Sequence, residues 1–275
     1  WNISRSWLEE IRRRPWWQER VVGGLMSYWI YQFIGNLSLR ELEENNLYRQ
    51  VRQQDEAGPM LREFAAKDDR EREGKRWSYY RDLGSTRLIV MDSRTGRELE
   101  EGHRSIFDED EWDWIREKAR GEFDHLLIGT SDPYLLAPGL HYLEAWNEAV
   151  CNGAWGAAAA GVGERIRRAL DCDHWGAFQR SFMRLTALLE EIGSGERGRP
   201  PASICILSGD VHHAYLAEAA FRRDANVSSA VYQAVCSPYR KALDAHERLA
   251  VRIGHSRPTE VLVRALARAA GVEDP

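Results

Sequence analysis

Three short, almost continuously apolar runs punctuate the chain: TRLIVMD (86–92), DHLLIG (124–129) and SICIL (203–207). A strand covered on both faces reads this way, because neither of its sides needs to be polar. Segments with helical spacing lie between the runs, and strands alternating with helices indicate a layered α/β protein. The most regular helix carries Trp175, Phe178, Phe182, Leu185, Leu189 and Ile192 at intervals of 3, 4, 3, 4 and 3, which places all six on one side.

The flanking segments fit the same plan. Trp77–Leu83 and Thr86–Asp92 read as neighbouring strands joined near Gly84-Ser85. Asp108 opens a helix with Glu111 at capping-box spacing, and Trp112, Ile115 and Ala119 form its inner face. The run at 124–129 ends in a turn, Thr130-Ser131-Asp132-Pro133. Residues 138–162, with their GAWGAAAAGVG stretch, read as a loop or small insertion. Ala214–Phe221 and Ser228–Val235 read as strands, and Pro258–Ala270 as a helix stopped by Gly271.

Residues 1 to 66 read as helical. Val21, Leu25, Trp29 and Phe33 run beside Val22, Met26, Ile30 and Ile34, two adjacent rows that make one broad apolar stripe. Such a helix packs on a core rather than lying on a membrane surface. The charge run KDDREREGKR (67–76) is expected to be a solvated loop.

With 38 Lys+Arg against 43 Asp+Glu, the formal charge of −5 argues against a broad electrostatic grip on nucleic acid, so no nucleic-acid surface is expected. Only four of the basic residues are lysines (Lys67, Lys75, Lys118, Lys241), which reads as an arginine coding bias or as a surface tuned to phosphate esters. Cys151, Cys172, Cys205 and Cys236 form no C-x-x-C, so no zinc knuckle is available, and Cys205 reads as a buried thiol. No run of 18 apolar residues exists and no transmembrane segment is expected. The chain opens on Trp1 rather than Met, so a further upstream segment is expected; the cytoplasm is favoured as compartment, with export left open.

The chemistry concentrates in SICILSGDVHHAY (203–215), where a buried strand runs into Gly209-Asp210-Val211-His212-His213. Ligands bind at the carboxyl ends of strands in layered α/β folds. Asp210 and His212 are two apart, so an extended segment points both to one side. A carboxylate with an imidazole suits Fe, Mn, Zn or Co. His213 would point elsewhere, to substrate or behind the ligands. The plainer alternative is an Asp that caps the next turn beside two incidental histidines. Arg94, closing the strand of 86–92, could reach an anion or make a structural salt bridge. Arg240, near the end of another strand, is a candidate phosphate clamp. His141 reads as a loop residue, Asp173 as a helix cap and His174 as solvated. No G-x-S-x-G surrounds Ser237, and no P-loop, dinucleotide fingerprint or H-E-x-x-H occurs.

LSGDVHHAY (207–215) resembles the last metal-binding motif of PhoD-like phosphatases, the alkaline phosphatase D branch of the metallophosphoesterases. RLIVMDSRTGR (87–97), IGTSDPYLLAPGLHYLE (128–144), DHWGAFQRSF (173–182), AVCSPYR (234–240) and the tryptophan-rich opening are similar to other family segments. The resemblance implies a metallophosphoesterase-like four-layer α/β/β/α sandwich, here lacking its N-terminal part, with residues 1–275 forming a single incomplete domain. It implies metal-dependent hydrolysis of small phosphate mono- or diesters, with two metal ions in the complete protein (Fe, Mn, Zn, Co or Ca). Asp210 and His212 match the family's ligand positions. The family's first ligands precede the segment where this chain starts, and Thr130 and Ser131 stand where many metallophosphoesterases place a metal-binding His. The complete parent protein, rather than this segment alone, is therefore expected to be active. Two other readings stay open: a non-catalytic relative that binds a partner through its tryptophan-rich helices, and an unrelated layered protein with a structural G-D-x-H-H.

Overall fold

The computed structural model describes residues 2–70, 76–237 and 243–273. They divide into two compact units: Ser6–Tyr79, and a second that takes in residues 2–5 and resumes at Tyr80.

The first unit is helical, as its spacing requires. It contains α1 (Arg5–Ile11), α2 (Trp17–Tyr28), a π turn (Trp29–Phe33), a 3₁₀ turn (Ile34–Asn36), α3 (Leu39–Glu44), α4 (Asn46–Val51) and α5 (Gly58–Arg70). Val21, Val22, Leu25 and Trp29 are buried, but Met26, Phe33 and Ile34 are only half-buried and Ile30 is exposed. The π turn explains the break: its i→i+5 bonding shifts the phase of the apolar rows after Tyr28. Trp77 anchors this unit's aromatic cluster, 5.2 Å from both Tyr28 and Phe33, and donates from Nε1 to Asp68 at 2.9 Å. Trp17 and Trp29 are buried as well, Trp17 at 5.7 Å from Trp7 and Trp29 at 6.4 Å from Phe64. The charge run is not a loop throughout, because α5 continues through Lys67–Arg70.

The second unit carries the α/β architecture. In chain order it has β1 (Tyr79–Leu83), β2 (Thr86–Val90), α6 (Glu109–Lys118), β3 (His125–Gly129), α7 (Pro138–Cys151), α8 (Ala157–Ala169), a 3₁₀ turn (Trp175–Ala177), α9 (Gln179–Ser194), β4 (Ser203–Ser208), β5 (Tyr215–Ala219), β6 (Ala230–Val235), α10 (Ala245–Gly254) and α11 (Arg257–Ala269). The six strands form one sheet in the order β1-β2-β3-β4-β6-β5. β2, β3, β4 and β6 are parallel, while β5 closes the edge antiparallel to β6.

Register places Ile89, Ile128, Ile206 and Gln233 side by side in one row, all at 2% exposure or less. The opposite row, Leu88, Leu127, Cys205 and Tyr232, is partly exposed. The strands are therefore not sealed equally on both faces, and Cys205 is half-buried rather than buried. Their runs look continuous because the more open face is apolar too.

Asp108 caps α6 as its spacing predicts, accepting from the Glu111 amide at 2.8 Å, and Trp112, Ile115 and Ala119 are buried. The six apolar positions at 175–192 are all buried. The expected loop at 138–162 is instead α7 and α8. Its alanines are the strongest helix formers, and the break is confined to the segment around Gly153 and Gly156, whose φ angles are +95° and +85°. α7 packs against α8 and α11, where Tyr142 meets Val263 and Ala267.

Candidate active site at the carboxyl edge of the sheet

Parallel β2, β3 and β4 release their following segments on the same edge. Backbone bonds tie these segments together: Thr130 N donates to the Leu207 carbonyl at 3.0 Å, and Gly209 N to that of Ser131 at 3.1 Å. A side chain at Gly209 would place its Cβ 3.2 Å from the Cys236 carbonyl, so glycine there lets the ends of β4 and β6 close up.

Arg94, four residues beyond β2, stands at the centre. Its Nε donates to Ser131 Oγ at 2.9 Å, Nη1 to Asp173 at 2.6 Å and Nη2 to Asp132 at 2.5 Å; Nη2 also pairs with Asp210. Arg97, fully buried, reaches the same two inner carboxylates, Asp132 at 2.8 Å and Asp173 at 3.2 Å, and lies 5.0 Å from the Phe178 ring centre. Of the two roles open to Arg94, the structure shows the salt bridge. Burial pushes Asp132 up to about 6 against the pull of Arg97 and Arg94. For Asp173 the balance goes the other way: burial raises it, but Arg97 and Arg94 outweigh that and hold it below the usual carboxylate range.

Asp173 is thus a buried ion-pair partner rather than a helix cap, and His174 is not solvated. His174 Nδ1 lies 2.8 Å from Glu144 Oε1. Burial works against its protonation, yet Glu144, Asp132 and Asp173 together raise it to about 9.

Asp210 and His212 are not extended. Both have left-handed backbone, with φ of +70° and +58°, so they share a turn instead of alternating along a strand. They still border one cavity of about 770 Å³, together with Arg94, Asp173, His174 and His213. His212 Nδ1 lies 2.7 Å from Glu247 Oε1 of α10. His213 turns back to the Val211 carbonyl at 2.6 Å and stacks on Tyr215. The far wall of the cavity is apolar, with Leu140, Leu143, Val251 and Val263. Arg240 lies outside the described residues.

Two groupings have ligand chemistry. Asp132, Asp173 and His174 bring ligand atoms within 4.8 Å of one another, a set that could hold a metal ion. Their present partners oppose it, since Arg94 and Arg97 engage both carboxylates and Glu144 keeps the imidazole protonated. Asp210 and His212 border the same cavity: Asp210 is half exposed and also engaged by Arg94, and His212 presents Nδ1 to Glu247.

Sequence reasoning did not single out Asp132, Glu144, Glu247 or Arg97. Only Asp132 had a signal, its Asp-Pro turn after a buried strand; the others act across 30 or more residues.

Fold and site together define a mostly parallel α/β protein with an ionic cluster and a cavity at the carboxyl edge of its sheet. No protein-family model matches the chain, and no curated protein matches its sequence. A solved structure described as "Structure of PhoD" matches with a TM-score of 0.39 and 11% identity, covering 60% of this chain and 29% of that one. The chain thus spans under a third of that structure, and so loose a likeness carries no argument about family or activity.

Proposed function

We propose that this chain is part of a metal-dependent phosphoesterase acting on small phosphate mono- or diesters, with Asp210 and His212 as two of its metal ligands. The observation that carries the reading is that Asp210 and a Glu247-oriented His212 both line one cavity of about 770 Å³. A cation bound there (Fe, Mn, Zn, Co or Ca, two in the complete protein) would supply Lewis-acid stabilisation of phosphoryl charge. The protein's own part is to fix the His212 ring through Nδ1, to present the Asp210 carboxylate, and to exclude water along the apolar wall. His213 and Arg240 are proposed to serve substrate or to support the ligands.

Two side chains fall short of the three or four that hold an ion firmly, so further ligands are assigned to a longer protein, and the activity with them. The partly exposed apolar row of Leu88, Leu127, Cys205 and Tyr232 supports the four-layer sandwich, because a second sheet would cover it.

The test is a Mn²⁺ titration of the purified chain. Weak, saturable binding that disappears in His212→Ala is expected. Binding unchanged by the substitution, or absent from the unsubstituted chain, overturns the ligand assignment. Hydrolysis of aryl phosphate mono- and diesters by the complete protein then separates the two substrate classes.

A second reading, a non-catalytic binding relative of the fold, is favoured by one observation. Arg94 and Arg97 already occupy the inner carboxylates Asp132 and Asp173, and Arg94 also engages Asp210, without an ion. Under it, metal alters neither stability nor any activity.

A further inference from the structure

Arg94 touches three carboxylates that are held very differently. Asp132 and Asp173, at 1% and 10% side-chain exposure, are fixed from behind by buried Arg97. Asp210 is 50% exposed, sits on a left-handed turn, and meets Arg94 from the cavity side. Two guanidinium groups face three carboxylates, so one negative charge is in excess. Asp210 is the member whose departure leaves a balanced quartet behind. Arg94 Nη2 divides its two N–H groups between Asp132 and Asp210. Losing Asp210 would turn one charged donor toward the cavity, and a guanidinium edge with a spare donor suits a phosphate oxygen.

We propose that Arg94 exchanges partners: a divalent cation that takes Asp210 releases the Arg94 donor to a phosphate oxygen, so cation and phosphate reinforce each other at one site. The proposal rests on the assignment of Asp210 as a cation ligand. It makes Arg94 a substrate-binding residue that stays masked until metal arrives. By linkage, phosphate must then tighten cation binding by the same factor.

The test is calorimetric, with inorganic phosphate as the probe and with or without Mn²⁺. In the unsubstituted chain, phosphate affinity should rise about tenfold when Mn²⁺ is present, a typical coupling. Asp210→Asn, which removes the masking charge and keeps the side-chain shape, should bind phosphate about tenfold tighter without metal and ignore Mn²⁺. Adding Arg94→Gln to that variant should abolish the gain. Asp171→Asn removes a charge from the same cavity lining and should leave phosphate affinity unchanged.

If Asp210→Asn gains nothing, or Asp171→Asn gains as much, Arg94 is not unmasked and the proposal fails. If Mn²⁺ binds without moving phosphate affinity, the exchange fails while the ligand assignment stands. If Mn²⁺ does not bind but Asp210→Asn still tightens phosphate, the ligand assignment and the metal-driven exchange fall together.

Discussion

The imidazole of His141 lies 4.5 Å from the ring of Phe182, centre to centre, inside α7, and its Nε2 has no hydrogen-bond partner among the described residues. Burial alone lowers its pKa to about 4. The folded protein therefore favours the neutral ring, and the sign follows. This contribution to stability is complete above the ordinary histidine value and is lost as pH falls toward 4. The loss should reach about 3 kcal/mol, seen by comparing urea unfolding at about pH 7 and about pH 4. His141→Phe should remove this component of the acid sensitivity; an equal loss in the variant would contradict it.

Arg97 is fully buried between two carboxylates, whereas Arg94 keeps some contact with solvent. Arg97→Met leaves Asp132 without one of its two cations at 1% exposure. It should cost about 3 kcal/mol or more in chemical denaturation, and Arg94→Gln distinctly less. Equal costs would mean that the two arginines share the charge evenly.

Gln233, fully buried in the middle of β6, accepts at Oε1 from the amides of Tyr134 and Leu135, at 2.9 and 3.1 Å, and donates to Ser208 Oγ at 2.7 Å. It thereby holds the segment after β3 against the end of β4. Gln233→Leu strands the buried amide of Tyr134 and the partly buried amide of Leu135, and should cost about 3 kcal/mol. Hydrogen exchange at Tyr134 and Leu135 should speed up before the sheet itself opens. Unaltered exchange there would show that another acceptor serves them.

A Cβ at Gly176 would fall 2.9 Å from Glu144 Oε2 and 3.0 Å from the His141 carbonyl. Gly176→Ala should therefore destabilise by about 1–3 kcal/mol, as overpacking does, with a lowered Tm. Because Glu144 must move, the His174 ring should titrate at a lower pH in the variant, which NMR of its ring protons would read directly.

Where local pattern decides structure, the chain was legible. The 3-4 spacing of Trp175–Ile192, the Asp108 cap and the strand runs all appear where their residues place them, because each depends on neighbours within a turn or two. The alanine-rich stretch misled because its glycines suggest a loop, while four consecutive alanines make helix cheap to form. Asp210 and His212 border one cavity, but their geometry was not legible, since no spacing rule foretells left-handed backbone at two non-glycine residues. The arginine count read as a coding bias or as a surface tuned to phosphate esters, neither of which foretells burial. Arg97, Arg104 and Arg167 are nevertheless fully buried, each with carboxylate partners distant in sequence for at least one of its ion pairs.

His125 of β3 pairs with Ser203 of β4, 78 positions further along the chain. On the ribosome β2 and β3 can join early, and Arg94 can meet Asp132 and then Asp173, while the strand that completes the middle of the sheet is still unsynthesised. Until Ser203–Ser208 emerges, β3 offers a bare, apolar, hydrogen-bonding edge to any other chain. The nascent protein needs a chaperone's cover most during that interval, and products of translation halted before β4 are the ones that would aggregate.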